Sequence, residues 1–416
     1  MHILIIPSEE YVPNHAPMAG IFQHDQAKIL QQNGHQVGVL SFTFKYSFSS
    51  LINALLGKNN KHTKNLSSIA LLTTLFKKTF TPFQSALHYE IKDQIDVLRC
   101  DGFWGTKKSN LPLSKYEMWL KYGDLALQAY INNYGKPDVI HAHNMIYAGL
   151  LTIDLNKKYN IPYVITEHSS QYIMGEVSSE LNQQLEKAFS LSVNLYAVSP
   201  VLIQQLTKRF SLSENKIIWL PNVLDSYIEN KQLLDVKRQR KIVRFLNIAN
   251  LIPLKGQAEL INAFNIAFEN VEDVELVIAG DGELKEKLEY MVTQFKLNQK
   301  IKLIGYINRE QVITQLDDCD VFVLPSHYET FGVVLIEALS RGVPVISTYC
   351  GGPECIVNDS NGILVQPKNV EELAQALLKM YREYNNYNKE QLREDVISQY
   401  GKAAFYKRVM EIYKSV

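Results

Sequence analysis

The 416-residue sequence has little cysteine and no excess of either charge. Its four cysteines, Cys100, Cys319, Cys350 and Cys355, are too few and too scattered for a disulfide framework, which favours a reducing compartment. Its 43 Lys and Arg residues balance 43 Asp and Glu residues, so the chain has no net charge with which to attract DNA or RNA. Nucleic acid is therefore not an expected partner.

Long apolar runs are also absent from the sequence. Crossing a bilayer takes roughly 20 apolar residues, and the longest candidate, at 69–76, is interrupted by Thr73 and Thr74. The N-terminus lacks the basic segment, the apolar stretch and the cleavage site of a secretory signal. We therefore expect a cytoplasmic protein with no membrane-spanning helix.

Short runs of Val, Ile and Leu alternate with longer segments of helical periodicity. This alternation is typical of parallel sheets with crossover helices, and six buried strands in each half predict two doubly wound α/β domains of similar size. The predicted strands are 2–7, 36–42, 138–142, 162–167, 194–198 and 216–220, then 242–248, 274–279, 300–304, 320–324, 343–347 and 362–365.

The predicted domains are 1–225 and 226–390, followed by a C-terminal helix at 391–416 that packs on a domain surface. The charged stretch 229–241 has no room for a buried strand and is the predicted hinge. Since ligands of parallel sheets bind beyond the carboxyl ends of the strands, we expect the active site in a cleft between two facing domains.

Two glutamates, Glu329 and Glu337, follow the predicted strand 320–324. On a continuous helix, eight residues span about 12 Å, more than the roughly 5 to 9.5 Å that separates the paired carboxylates of glycoside hydrolases. One elongated ligand held at both ends fits this spacing better, with free N–H groups of a helix start near Phe331 and Gly332 facing negative charge between the two glutamates. A sugar nucleotide has this layout.

The segment from Glu329 to Glu337 resembles the E-x7-E motif of the family 4 retaining glycosyltransferases. These enzymes have the GT-B fold of two facing Rossmann-like domains, and the resemblance is strongest over 242–370. It implies that Glu329 contacts hydroxyls of the donor sugar and that Glu337 holds the ribose. The donor-binding residues between them are Phe331, Gly332 and Val333.

Three further donor-side positions follow from the resemblance. Lys255 matches a lysine that the family directs at the donor diphosphate, whereas Asn250 stands where the family has an arginine. An asparagine donates hydrogen bonds but supplies no charge, which implies either a weaker stabilisation of the leaving group or another basic group that supplies the charge. Tyr306 corresponds to the nucleobase loop. We interpret the glycines of Gly280-Asp281-Gly282 as permitting a tight turn rather than as a dinucleotide fingerprint.

The first half matches the family at fewer positions. Gly20 corresponds to an N-terminal glycine loop that usually has two glycines and that approaches a phosphate. His168 ends a strand where the family places a histidine against the donor sugar or its phosphate, so Lys255, Glu329 and His168 are the predicted catalytic residues. His141 and His143 should share one side of a strand; with no third ligand, we interpret them as polar wall residues and predict no metal site.

Residues of about 43–90 form a predicted insertion that is basic and rich in aromatics. From Ser41 to Tyr89 there are six lysines and no Asp or Glu. Two interpretations stand: a segment that lies on an anionic membrane surface, making the protein peripheral to the inner membrane face, or a subdomain whose apolar faces pack inward.

The resemblance implies a retaining, metal-independent hexosyltransferase that needs no cofactor beyond its co-substrate. It would move a sugar from a UDP- or GDP-sugar to a hydroxyl of a glycan or a lipid-linked acceptor, in the assembly of glycolipid, capsule or other surface polysaccharide. Two alternatives stay open: a sugar nucleotide 2-epimerase of the same fold, and a non-catalytic protein that binds a nucleotide sugar.

Overall fold

The computed structural model describes residues 1–13, 20–57, 67–73, 87–104, 112–169, 171, 175, 177, 179–233 and 241–416. The chain divides into two compact units. Unit 1 comprises 1–197, 203–220 and 408–416, and unit 2 comprises 198–202 and 221–407. Each unit is built on one sheet.

The sheet of unit 1 has eight strands in the order β3-β4-β2-β1-β5-β6-β7-β8, all paired in parallel except β3 with β4. The strands are β1 His2–Pro7, β2 Gln36–Ser47, β3 Leu87–Lys92, β4 Ile95–Trp104, β5 Val139–His143, β6 Tyr163–Glu167, β7 Leu195–Ala197 and β8 Ile217–Trp219. The helices of this part of the chain are α1 Ile21–Gln32, α2 Phe48–Leu55, α3 Pro112–Tyr134, α4 Leu150–Tyr159, α5 Ser179–Leu191 and α6 Pro200–Arg209.

The sheet of unit 2 has six parallel strands in the order β11-β10-β9-β12-β13-β14. Its strands are β9 Val243–Ile248, β10 Val274–Ala279, β11 Ile301–Gly305, β12 Val321–Leu324, β13 Val345–Thr348 and β14 Gly362–Val365. The helices of this part of the chain are α7 Ser226–Glu229, α8 Gln257–Ala267, α9 Lys285–Gln294, α10 Arg309–Asp317, α11 Val333–Ser340, α12 Val370–Glu383, α13 Lys389–Tyr400 and α14 Lys402–Lys414. The residues of α14 from 408 onward belong to unit 1.

Helix α12 shows how the sequence builds the core of unit 2. The side chain of Asn369 accepts a hydrogen bond from the N–H of Glu372 and so caps the helix start. The apolar residues Leu373, Leu377 and Met380 recur at helical spacing and are buried in one cluster with residues of α8 and the sheet. Burying a leucine side chain of this kind contributes about 1.5–3 kcal/mol to stability.

The two parallel sheets confirm the predicted fold class, and all twelve predicted strands are present. The prediction of six strands in the first half was wrong, because it missed the hairpin of β3 and β4. Strand β3 is a largely exposed edge strand. Its turn is formed by Asp93 and Gln94, both with positive φ (48° and 65°), in place of the Asn-Gly or Asp-Gly pair that marks such turns in a sequence.

Several other expectations concern segments at the ends of the two units. The chain passes from unit 1 to unit 2 between Leu220 and Pro221, and the domain limits at 225 and 390 stay predictions. The C-terminal helix expected at 391–416 is two helices, α13 and α14, with Gly401 between them. Residues 234–240 of the predicted hinge, and 58–66 and 74–86 of the basic insertion, lie outside the described residues.

The states of the cysteines and the composition of the helices bear on two features of the sequence. All four cysteines are free thiols, and three of them are buried. Among the described residues, none of the helices combines the length and the apolar composition that a membrane span requires.

Candidate active site

The strand order in the sheet of unit 2 has a topological switch point between β9 and β12. From β9 the chain adds β10 and β11 on one side, and from β12 it adds β13 and β14 on the other. In open parallel sheets the helices on either side of such a point diverge and leave a crevice at the carboxyl ends of the strands. The segments that follow β9 and β12, and that carry Lys255 and Glu329, begin at this point.

Lys255 and Glu329 form a direct ion pair. The ammonium Nζ of Lys255 donates to Oε1 of Glu329 at 2.6 Å, and Oγ of Ser326 donates to the same oxygen at 2.7 Å. The side chains are 21% and 13% exposed, so both remain within reach of a ligand. The structure therefore brings together a cation suited to a phosphate and an anion suited to sugar hydroxyls.

The backbone around Glu329 is fixed by the segment that follows β13. The N–H of Glu329 donates to the carbonyl oxygen of Cys350 at 3.1 Å, and its carbonyl oxygen accepts from Gly352 at 2.7 Å. A Cβ atom on Gly352 would lie 2.2 Å from Cα of Phe331. The close approach of the two backbones therefore requires glycine here.

Gly256 holds the lysine segment against the glutamate segment. It separates a short 3₁₀ turn, Pro253–Lys255, from α8 and has a φ of 68°. A Cβ atom at this position would lie 2.1 Å from the carbonyl oxygen of Pro325, and the N–H of His327 donates to Leu254 at 2.8 Å. The distance between Lys255 and Glu329 thus depends on this backbone contact.

The structure confirms the steric interpretation of Gly280 and Gly282. Both have positive φ (144° and 157°). A Cβ atom on Gly280 would lie 1.9 Å from the carbonyl oxygen of Ala249, and one on Gly282 would lie 2.5 Å from that of Leu251. The N–H of Leu251 donates to the carbonyl oxygen of Asp281 at 2.9 Å. The glycine turn after β10 therefore supports the lysine-bearing segment from its other side.

Helix α11 begins at Val333, after Gly332, which has a φ of 96°. Residues 329–332 are not helical, so the 12 Å separation expected for a continuous helix does not apply to the two glutamates. The N–H groups of Val333 and Val334 lie in the first turn, where no i−4 acceptor exists, and such groups bind anions. The side chain of Phe331 is buried against Tyr400, with ring centroids 5.6 Å apart, and belongs to the core.

Glu337 lies deeper than Glu329 and is almost fully buried. Its Oε1 is 2.8 Å from Nη2 of Arg309, whose guanidinium also contacts Asp225. Burial raises the pKa of Glu337, and the positive charge of Arg309 opposes that effect. Neither Arg309 nor Ser326 was among the predicted site residues, since neither belongs to a recognisable motif.

The two remaining donor-side candidates lie at the ends of strands in the same sheet. Asn250 is exposed after β9, and its carbonyl oxygen accepts from Nε2 of Gln257 at 3.0 Å. Tyr306 is exposed after β11, and the preceding residue, Gly305, has a φ of 73°. Their side chains are therefore open to a ligand.

In unit 1, His168 follows β6 and lies beside the histidine that ends β5. Its Nε2 is 2.9 Å from Nδ1 of His143, and its backbone N–H donates to Oδ1 of Asn144 at 2.9 Å. The ring of Phe22, in the first turn of α1, lies 4.6 Å from the His168 ring. Gly20, with a φ of 68°, starts α1, so the structure brings the glycine segment and His168 together.

His141 and His143 share one side of β5, as the alternation predicted, with ring centroids 4.6 Å apart. Both are buried. Burial lowers the pKa of His141 to about 3 and that of His143 well below its usual range, so both rings are neutral near pH 7. His141 is held between the hydroxyls of Tyr413 and Thr166, each 2.7 Å away.

Sequence reasoning also missed Glu167 and Asn144, which support His168. The buried carboxylate of Glu167 accepts hydrogen bonds from the N–H groups of Met145, His168 and Ser169 at 2.9, 3.0 and 2.7 Å. Asn144 adopts a positive φ of 70° directly after β5. A carboxylate at the last position of a buried strand is the sequence signal that could have revealed this supporting role.

Comparisons with solved structures identify the fold. The fold is similar to that of sucrose-phosphate synthase from Thermosynechococcus elongatus, with a TM-score of 0.72 and 18% identity over 100% of this chain and 99% of that one. It is also similar to HepE of Anabaena, solved in complex with UDP and glucose, with a TM-score of 0.67 and 16% identity over the full length of both chains. Two parallel α/β domains with these neighbours constitute the GT-B fold.

Sequence comparisons then give the family. The chain is 26% identical to an uncharacterised glycosyltransferase of Methanocaldococcus jannaschii over 72% of its own length and 78% of that protein. It is 28% identical to glycogen synthase of Mycobacterium tuberculosis over 58% and 59% of the two chains. The models "Glycosyltransferase Family 4" and "Glycosyl transferases group 1" match residues 19–226 and 230–400. The chain belongs to the family 4 type of glycosyltransferases, as the sequence motifs predicted.

Proposed function

We propose that the protein is a retaining glycosyltransferase that moves a hexosyl group from a UDP- or GDP-sugar to a hydroxyl of a glycan or lipid-linked acceptor, in the assembly of surface polysaccharide or glycolipid. One observation carries the proposal: Lys255 and Glu329 meet at 2.6 Å, at the topological switch point in the sheet of unit 2. This is the crevice in which parallel α/β proteins bind nucleotides.

The donor is assigned to unit 2 on the chemistry of its groups. Lys255 and the first-turn N–H groups of α11, at Val333 and Val334, suit a diphosphate because both present positive charge to it. The carboxylate of Glu329 accepts hydrogen bonds from sugar hydroxyls, and Glu337 accepts those of the ribose. Gly332 permits the helix start, and Phe331 contributes through its backbone. The UDP bound to HepE supports a nucleotide donor.

The side chains of Tyr306 and Asn250 have proposed roles at the edges of the donor. Tyr306 is exposed and offers an aromatic face to the nucleobase. The amide of Asn250 offers hydrogen bonds without charge to the phosphates. The leaving group is then stabilised chiefly by Lys255, which makes that lysine more important here than where an arginine assists it.

The reaction needs no carboxylate pair. The bond between the anomeric carbon and the phosphate oxygen breaks, the acceptor oxygen bonds to the same face of that carbon, and the acceptor proton passes to the departing phosphate oxygen. Configuration is therefore retained. The positive charge that the diphosphate requires comes from Lys255 and backbone dipoles, and we propose that neither a metal nor a further cofactor takes part.

Unit 1 is proposed to bind the acceptor and to supply His168. Since the neighbouring His143 ring is neutral, one of the two rings donates and the other accepts across the 2.9 Å contact. That contact fixes the orientation of the His168 ring, which we propose contacts the transferred sugar or its phosphate. Gly20, at the start of α1, is proposed to let backbone approach the phosphate.

Nucleotide release from UDP- and GDP-sugars, with and without candidate acceptors, tests the proposal. Wild-type protein should release UDP or GDP from at least one donor, faster with an acceptor, and the Glu329→Ala variant should release it at least about 100-fold more slowly, as when one transition-state contact is lost. Interconversion of UDP-sugars with no acceptor would instead identify a 2-epimerase. Binding without turnover would identify a non-catalytic binding protein.

The basic insertion at about 43–90 has a separate test, because its two interpretations differ in what a deletion does. We propose that it places the protein on the inner membrane face, each lysine near an anionic surface contributing about 1 kcal/mol. Deleting residues 45–85 should then abolish sedimentation with vesicles that contain phosphatidylserine, while sedimentation with neutral vesicles stays absent. A deletion protein that still sediments would favour the inward-packed subdomain.

A further inference from the structure

Asp225, Arg309 and Glu337 form a buried ionic cluster in unit 2. Arg309 is the first residue of α10, directly after Asn308, which caps that helix. Its Nη2 lies 2.8 Å from Oε1 of Glu337, and its guanidinium also contacts Oδ2 of Asp225. One cation therefore serves two carboxylates, and all three side chains are largely shielded from solvent.

The cluster is rigid because its members are held from several sides. Oδ1 of Asp225 accepts the N–H of Tyr227 at 2.6 Å and caps α7. The planar guanidinium of arginine presents donors in a fixed fork, so contact with two carboxylates fixes its orientation. The orientation of the Arg309 guanidinium beside Glu337 is therefore fixed, unlike that of a mobile charge on the surface.

We propose that Arg309 is a positioning residue for nucleotide binding: its guanidinium pairs with Oε1 of Glu337 and places a positive charge beside that carboxylate, so that Oε2 accepts hydrogen bonds from the ribose hydroxyls of the donor. This inference rests on the ribose role of Glu337 in the proposed function. Arg309 itself does not contact the ligand. A charged acceptor matters because hydrogen bonds to an ionised carboxylate are roughly twice as strong as neutral ones.

The charges around α11 identify Arg309 as the group that acts on Glu337. Burial and the nearby Asp225 raise the pKa of Glu337, and Arg309 opposes them. The other charged groups packed near this helix are engaged elsewhere: Arg341 pairs with Asp317, and Arg393 of α13 donates to the carbonyl oxygens of Ser340 and Glu229. Loss of Arg309 should therefore raise the pKa of Glu337 further and favour its neutral form.

Calorimetric titration of two nucleotides tests this inference. UDP or GDP, whichever the wild type binds, is compared with its 2′,3′-dideoxy form, which lacks the ribose hydroxyls. The wild type should prefer the natural nucleotide by about ten-fold or more, the size expected of hydrogen bonds to a charged group. Arg309→Met and Glu337→Gln should each lose most of this preference, and Arg309→Met should regain part of it as the pH rises and Glu337 ionises.

A matched control separates positioning from stability. Arg341 is a buried arginine at the end of α11 and donates to the backbone of Lys231 and Gln232. Arg341→Met should lower thermal stability but leave the ribose preference at the wild-type value. If Arg309→Met does not fold, Arg309→Lys decides: it keeps the charge but not the fork, so the preference should fall below that of the wild type without depending on pH.

The outcomes distinguish the inference from the proposal on which it rests. If the wild type shows no ribose preference, or Glu337→Gln retains it, the ribose role of Glu337 is wrong and the inference fails with it. If Glu337→Gln loses the preference but Arg309→Met keeps it, or weakens both nucleotides equally, only the positioning role is wrong. An unchanged preference in Arg309→Lys overturns the positioning role as well.

Discussion

Replacing Lys255 by alanine removes the positive charge that we assign to the donor diphosphate. The ammonium is 2.6 Å from Glu329, and the Lys255 side chain is 21% exposed, so it lies at the border of protein and solvent. At about 4 Å and an effective dielectric constant of about 20, two unit charges attract by about 4 kcal/mol. When Lys255 binds the diphosphate, its ion pair with Glu329 weakens, which costs about 0.2–1 kcal/mol, as for a partly exposed ion pair. The Lys255→Ala variant should therefore lose about 3 kcal/mol of transition-state stabilisation.

A loss of that size corresponds to roughly a 100-fold decrease in kcat/KM for the nucleotide sugar. The thermal midpoint should fall by only a few degrees, because a partly exposed pair contributes at most about 1 kcal/mol to folding. The assay is the initial rate of nucleotide release at limiting donor concentration, with the thermal midpoint measured on the same preparations.

Lys300→Ala is the matched control for this prediction. Lys300 is also a largely buried lysine of unit 2, with Nζ 3.3 Å from Glu272, but it directly precedes β11 and so lies at the amino end of the strands. Its loss should leave kcat/KM within about two-fold of the wild type, as for a charge far from the ligand. Equal rates for the two variants, or a rate loss explained by unfolding of Lys255→Ala, would refute the assignment.

Three further predictions follow from the same contacts. Gly256→Ala should lower both stability and donor affinity, because its Cβ would lie 2.1 Å from the carbonyl oxygen of Pro325 and push apart the segments that carry Lys255 and Glu329; normal donor binding by calorimetry would contradict this. The pKa of His141 is about 3 in the folded chain against an ordinary value of 6.5, so only the unfolded chain takes up this proton between those values, and stability should fall by about 1.4 kcal/mol per pH unit below about pH 6.5. Thermal melts from pH 7.5 to pH 5 check this, and His141→Gln should show a smaller slope; an equal slope would exclude His141 as the cause. Nucleotide release should be unchanged by excess EDTA, whereas loss of activity that Mg²⁺ or Mn²⁺ restores would show that a metal supplies charge we assign to Lys255.

Much of the fold could be predicted because the strands of parallel sheets are buried on both faces. Strands such as β1 and β10 are buried at every position and mostly apolar, and their predicted and observed limits are the same. The hairpin of β3 and β4 was missed for the opposite reason: four of the six residues of β3 are exposed, and its turn uses Asp93 and Gln94 without glycine. An exposed edge strand is held mainly by backbone hydrogen bonds to its neighbour, so its sequence shows a weaker apolar pattern.

The candidate site was predictable where a motif carried it and not where packing did. Lys255 and Glu329 stand 74 positions apart, and their meeting at one point follows from the order of the strands rather than from either motif. Ser326 and Arg309 were missed because their roles come from contacts across the fold, to Glu329 in one case and to Asp225 and Glu337 in the other. Phe331 is a further example: the motif predicted it as a donor-binding residue, whereas its side chain is packed in the core.

The central claim is that the diphosphate of the donor binds at Lys255, beside the start of α11. A crystal structure of the protein soaked with UDP or GDP tests it most directly. The account predicts phosphate oxygens within hydrogen-bond distance of Nζ of Lys255 and of the N–H of Val333 or Val334, with the ribose at Glu337. A nucleotide bound with its phosphates away from Lys255 and from the α11 start would contradict it.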